Sequence, residues 1–216
     1  MYNGIISRAD FDNAVELFAL AWQSSKREVM KAFRPTQSRI RLEQPAVTGL
    51  NNYKFAIKDG VSDPFNTEIR LKDQDIFVPT HVNFCLGNPT GDEDAAYKLF
   101  TYVNPFFFNV AMVAAYHGLL SIKVNKDQYV TNWPLWWHWH SPQTQQTLAA
   151  GAGSPVDQFN GDCDGFRSMQ PFVMLSGQKN VQIEIDLPVA MTAVTANSRL
   201  IMIFDGVIFQ NSTVTS

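Results

Sequence analysis

Three segments in the last third of the chain constrain its fold most. Val181, Ile183, Ile185 and Leu187 alternate with Gln182, Glu184 and Asp186. Phe172 to Leu175 precedes them across Ser176-Gly177-Gln178, and Arg199 to Phe209 follows, interrupted by Asp205-Gly206. A period of two places successive side chains on opposite faces, so these segments predict strands with one buried and one wet face.

The same period runs back through most of the chain. Ile40 and Leu42 alternate with Arg39, Arg41 and Glu43, and Tyr53, Phe55 and Ile57 alternate with Lys54, Ala56 and Lys58. Ile69 and Leu71 repeat the pattern, and Ile76, Val78, Val82, Phe84 and Leu86 continue it. Pro79 lacks an N–H for the ladder, which predicts a bend or an edge position. Leu120, Ile122 and Val124 turn at Asn125–Asp127 into Gln128–Trp133, a predicted hairpin. Tyr97–Phe108 reads equally as strand or helix, and Val110–Tyr116 as a short helix. About eight strands result. No βαβ alternation interrupts them, so a parallel α/β sheet is disfavoured.

The N-terminus is different. Phe11, Val15, Phe18, Trp22, Val29 and Phe33 recur at spacings of three, four and seven, one side of a helix over residues 10–33. Ser7 or Asp10 is the candidate N-cap. Pro35 ends the helix, because the residue before a proline leaves the α region. Leu17, Leu20 and Ala21 widen the apolar face, which predicts packing on two sides or on another molecule. The expected organisation is a helical arm over 1–35 and a β-sandwich over 36–216, with a long Gln-, Ala-, Gly- and Ser-rich loop near 142–165. A loop of that length in a compact domain is usually functional or mobile.

Charge is sparse and uneven. Asp, Glu, Lys and Arg make up 17% of 216 residues, while Phe alone occurs 16 times and Trp five times. Low charge with many aromatics suits either a large core or a surface reserved for other subunits. The net charge is −3, yet Lys26, Arg27, Lys31, Arg34, Arg39 and Arg41 face only Glu28 between them, a local +5 that leaves −8 elsewhere. Such a segment suits nucleic acid or an acidic membrane. It also suits a helix C-terminus, whose dipole favours cations, followed by arginines on the wet face of a strand.

Two cysteines, Cys85 and Cys163, make neither a disulfide framework nor a zinc pattern. Cys85 is expected as a buried thiol. Met1 to Arg8 has no long apolar run, so no signal peptide is predicted. No segment approaches the roughly 20 apolar residues of a membrane helix.

Motifs for chemistry are incomplete. Trp136-Trp137-His138-Trp139-His140 holds two histidines at i and i+2, which share a face if the segment is a strand. The pair resembles the His-x-His of cupins and of α-type carbonic anhydrases. Cupins follow it with a Glu and a later His, and here Ser141 to Gln146 follows and no later His exists. His81 or His117 would have to complete a metal set from upstream. The segment is read instead as an aromatic strand or loop at an interface, its imidazoles hydrogen-bonded. Asn160 to Gly165 resembles the front half of an EF-hand loop, but Pro171 stands at the twelfth position where a bidentate Glu belongs. A polar turn is expected there. No Gly-x-Ser-x-Gly elbow, Walker loop or Gly-x-Gly-x-x-Gly is present. No enzyme activity, cofactor, metal or small-molecule substrate is expected.

The run Leu175-Ser176-Gly177, Asn180 to Ile185 and Leu200 to Gly206 resembles the closing strands of bacteriophage virion structural proteins, tailless-phage capsid proteins among them. The resemblance lies in Gly118 to Gln210 and in the order of elements. It implies an antiparallel β-sandwich, a single jelly roll with an N-terminal helix, that tiles a virus shell. It also implies a virion location after synthesis in the host cytoplasm, with copies of itself and other virion proteins as partners. Interaction candidates are Lys26, Arg27, Lys31 and Arg34 toward nucleic acid or acidic membrane, and Trp136, Trp137 and Trp139. The first alternative is a carbohydrate- or receptor-binding sandwich, a phage adhesin or lectin, whose tryptophans stack on sugars. The second is a cupin-like metal enzyme using His138 and His140.

Overall fold

Pro35 marks the change of hydrophobic period, and it marks the change from helix to strand in the computed structural model, which describes residues 6–57, 71–88, 98–103, 108–140, 165–177 and 179–210. Before Pro35 lie α1 (Arg8–Ala21) and α2 (Lys26–Ala32). Ser7 caps α1, its Oγ accepting the Asp10 N–H at 3.1 Å. The single helix expected over 10–33 is broken at Trp22–Ser25. Gln23 takes φ 51°; its N–H reaches Leu20 O at 3.2 Å and the Ser24 N–H reaches Ala19 O at 3.0 Å. That is a Schellman ending with glutamine in the left-handed position. Ser25 then opens α2 with a capping box to Glu28, which holds the Glu28 carboxyl below its usual pKa through hydrogen bonds from Ser25.

After Pro35 the chain is β. Two antiparallel sheets form. The first holds β1 (Thr36–Pro45), β10 (Arg199–Phe209), β3 (Ile76–Asn88) and β4 (Lys98–Phe100) in that order, with β7 (Arg167–Ser168) and β8 (Leu175–Ser176) also on β3. The second runs β2 (Asn52–Phe55), β9 (Val181–Asp186), β5 (Leu119–Val124), β6 (Asp127–Pro134). The pairings are nested along the chain. β1 takes β10, β2 takes β9, β3 takes β7 and β8, and β5 takes β6. The chain therefore behaves as one long ribbon folded back on itself and wrapped into two layers.

Ile40, Leu42, Phe84 and Phe204 from the first sheet meet Tyr53, Leu120, Ile122 and Ile185 from the second in one apolar core. β9 has the expected alternation, with Ile183 and Ile185 buried and Gln182 and Asp186 exposed. β10 departs from it: all eleven residues are buried. Its Leu200, Met202, Phe204 and Ile208 face the core between sheets. Its Val207 and Phe209 are covered by the helices, and Ile201 and Ile203 pack with Cys85 and Leu99. A central strand covered on both faces reads as a continuous apolar run.

Asp205-Gly206 does not interrupt β10. The register against β3 shifts there, Asp205 facing His81 and Gly206 facing Pro79. Thr80 is the extra residue of this bulge, and the shift exchanges the inward and outward positions of β3. Pro79 thus sits at a bulge in an interior strand. A side chain at Gly206 would stand 2.2 Å from the Val78 carbonyl, so only glycine fits.

The helices lie on the outer face of the first sheet. Ala14, Val15, Phe18, Ala19 and Val29 pack on Ile76, Val78, Val207 and Phe209. Phe18 stacks on Phe209 with centroids 4.0 Å apart. The broad apolar face is used only in part: Leu17 joins this cluster, while Leu20 is 71% exposed.

Register divides the molecule into two ends. Thr36, Ile208 and Ile76 lie at the helix end. At the other, the loop end, stand Pro45, Arg199, Asn52, Asp186, Leu119 and Pro134. The expected short helix is there, as a 3₁₀ helix over Val110–His117. The strand expected around Ile69 falls largely outside the described residues, as do the 142–164 loop, Cys163 and the polar turn at 160–164.

Candidate functional site

The two groups of interaction candidates occupy opposite ends. At the helix end Lys26, Arg27, Lys31 and Arg34 are exposed. Lys26 Nζ lies 2.8 Å from Glu16 Oε2, both groups about half exposed, a pairing that contributes little to stability. Met30, 45% exposed, and Leu20 are apolar side chains exposed on the same two helices. Arg39 and Arg41 do not line a wet face. Arg39 makes a two-pronged ion pair with Asp205, Nε to Oδ1 at 2.7 Å and a terminal nitrogen to Oδ2 at 3.1 Å. Arg41, buried, lies 2.7 Å from Glu43, and Arg199 approaches the same carboxylate at 3.8 Å. The six cations of the basic segment therefore divide into four at the surface and two inside ion pairs.

The tryptophans gather at the loop end. Past Pro134 the chain forms a 3₁₀ helix over Leu135–His138, not the strand that the sequence suggests. The Leu135 N–H donates to Gly118 O at 3.0 Å and anchors its start. Three residues per turn bring positions i and i+3 to one side. Leu135 and His138 are accordingly both fully buried, whereas Trp136 is 60% and Trp137 40% exposed. The geometry also separates His138 from His140, which is exposed. The strand-based pairing of the two imidazoles does not form.

His138 is fully committed. Its Nε2 accepts the Trp133 indole N–H at 3.0 Å, and its Nδ1 lies 2.8 Å from the Gly165 carbonyl. Burial lowers its pKa to about 4; the Gly165 hydrogen bond opposes this, and nearby Arg167 adds to it. Gly165 has φ 85° and so little room that a Cβ would stand 2.9 Å from Asn83 Oδ1. Neither ring nitrogen of His138 offers a lone pair to a metal. Among the described residues no three His, Cys, Asp or Glu side chains are placed to hold an ion.

Around this anchor is an open groove of about 500 Å³. Trp136, Trp137 and Trp139 line it together with Val113 and Tyr116, and His117 and Arg167 supply its polar groups. The indoles stand edge to face: Trp136 on Trp137 at 6.2 Å and 71°, and Trp137 on Trp133 at 5.2 Å and 77°. Trp139 meets Tyr116 at 4.9 Å and 79°. Arg167 Nε donates to the Trp137 carbonyl at 2.8 Å, which orients its guanidinium. The structure thus brings the three candidate tryptophans together. It adds Tyr116, His117 and Arg167, which have no local signal because they come from separate segments.

No protein-family model, no curated protein and no solved structure matches the chain.

Proposed function

We propose that the chain is a structural subunit of a virus particle, a bacteriophage capsid protein whose single jelly roll tiles a shell. The nested strand pairing carries this reading. The order β1-β10-β3 with β7 and β8, facing β2-β9-β5-β6, is the order expected of a ribbon rolled into two Greek keys. That architecture is shared by capsid proteins, lectins and cupins.

Surface chemistry favours the capsid member of that set. Large apolar side chains are exposed at both ends: Leu20 and Met30 on the helices, Val47, Leu50 and Val189 in loops, and Val110 at the start of the 3₁₀ helix. A subunit surrounded by copies of itself has partners for such side chains. The cupin-like reading loses His138 as a metal ligand, since both nitrogens of that ring are engaged within the fold.

Light scattering and electron microscopy of the purified chain, alone and with co-expressed virion components, test the proposal. Closed particles of many copies are the expected result. A chain that stays monomeric under every such condition overturns it. The exposed indoles favour a second role for the same subunit, binding a carbohydrate receptor.

A further inference from the structure

We infer that the tryptophan groove at the loop end binds an acidic glycan, through a pyranose that bears a carboxylate. The inference rests on the carbohydrate reading and adds the chemical class of the ligand.

Three features of the groove point to this class. First, Trp136, Trp137 and Trp139 are 60%, 40% and 39% exposed, although indoles are normally among the most buried side chains. An aromatic face is negative and apolar, and one side of a pyranose presents a patch of weakly positive C–H groups that fits it. Second, successive indoles are nearly perpendicular. They make a walled groove, not the parallel platform on which consecutive nucleobases stack. Its volume of about 500 Å³ lies within the range of small-ligand sites, about 300–1,000 Å³.

Third, among the described residues that line the groove, Arg167 carries a positive charge and no Asp or Glu stands beside it. The Arg167 Nε is held by the Trp137 carbonyl, so the guanidinium is oriented before any ligand arrives. Its two terminal nitrogens have no partner among the described residues and present a planar fork. A carboxylate matches that fork with two parallel hydrogen bonds. His117, exposed on the same groove, adds a further polar group toward the sugar hydroxyls.

The test uses the full chain and follows indole fluorescence and titration heat. The probes are sialyllactose and trigalacturonate, with lactose and maltotriose as neutral counterparts. The expected result is saturable binding, with the acidic probes favoured by about tenfold or more. Trp136→Ala should abolish binding of all four. Arg167→Gln should leave neutral sugars unaffected and remove the preference for acid. Lys31→Glu, at the helix end, should change nothing. Particle size is measured for each variant in parallel. Equal binding of acidic and neutral sugars, or a preference that survives Arg167→Gln, overturns the acidic-glycan inference and leaves the carbohydrate reading standing. No saturable sugar binding overturns both. Tight oligo-dT binding lost in Trp136→Ala, or lost assembly in that variant without sugar binding, assigns the groove instead to nucleobases or to a neighbouring subunit.

Discussion

The Trp133 indole N–H donates to His138 Nε2 at 3.0 Å while His138 Nδ1 meets the Gly165 carbonyl at 2.8 Å. One ring nitrogen accepts and the other donates, so the imidazole is neutral with its proton on Nδ1. A second proton would remove the acceptor for Trp133. Burial, the main cause, brings the pKa from 6.5 to about 4. In the unfolded chain the ring takes up its proton near the ordinary value. The neutral ring's contribution to stability is therefore complete above about pH 6.5 and is lost as pH falls toward 4. It amounts to roughly 3 kcal/mol. Urea midpoints measured across that window should fall with pH. His138→Gln keeps a donor and an acceptor, and this part of the slope should disappear. An unchanged slope in the variant would assign it to other groups.

Phe18 joins the helices to the sheet. It is fully buried, stacked on Phe209 at 4.0 Å, with Trp22 at 5.0 Å and Phe33 at 5.1 Å. Phe18→Ala should cost about 3–5 kcal/mol in chemical denaturation. Exposed Leu20→Ala on the same helix should stay within about 0.5 kcal/mol. Removing residues 1–34 uncovers Ile76, Val78, Val207 and Phe209, so the truncated chain should bind a hydrophobic dye strongly. Weak dye binding with unchanged stability would count against helix packing as a support of the sheet.

Arg39 and Asp205 tie the first strand to the last. The Asp205 side chain is 4% exposed and that of Arg39 28%, and the guanidinium also lies over Phe166 at 5.5 Å. Arg39→Ala leaves a buried carboxylate short of its cation and should cost about 3 kcal/mol. The double change Arg39→Met, Asp205→Leu should cost less than Arg39→Ala alone. A double-mutant cycle with no coupling would refute the assignment.

The exposed cations of the helix end are tested by charge reversal. Arg27→Glu, Lys31→Glu and Arg34→Glu together should weaken binding to phosphatidylserine vesicles, by about 1 kcal/mol per charge near the membrane surface. The loss should shrink as salt rises. Binding by the native chain that is insensitive to both salt and reversal would remove these residues from any anionic contact.

Much of this molecule was readable in one dimension. The alternation of Val181 to Asp186, the hairpin across Asn125, the cap at Ser7 and the change at Pro35 each depend on neighbours within a few residues. Local periodicity reports such features directly. The break at Trp22–Ser25 was also written locally, in Ser25 and Glu28 of the capping box, but the apolar spacing of Phe18, Trp22 and Val29 runs across it. Only tertiary structure decided the rest. Period two says which side chains share a face, not which strand lies beside them or what covers the other side. Arg39 meets Asp205 across 166 residues, and β10 is buried on both faces because helices from the other end of the chain cover Val207 and Phe209 while Cys85 and Leu99 pack on Ile201 and Ile203. The groove is likewise nonlocal. Tyr116, Trp136 and Arg167 become neighbours only when the ribbon closes, and His138 turns inward because three residues per turn, not two, govern that segment.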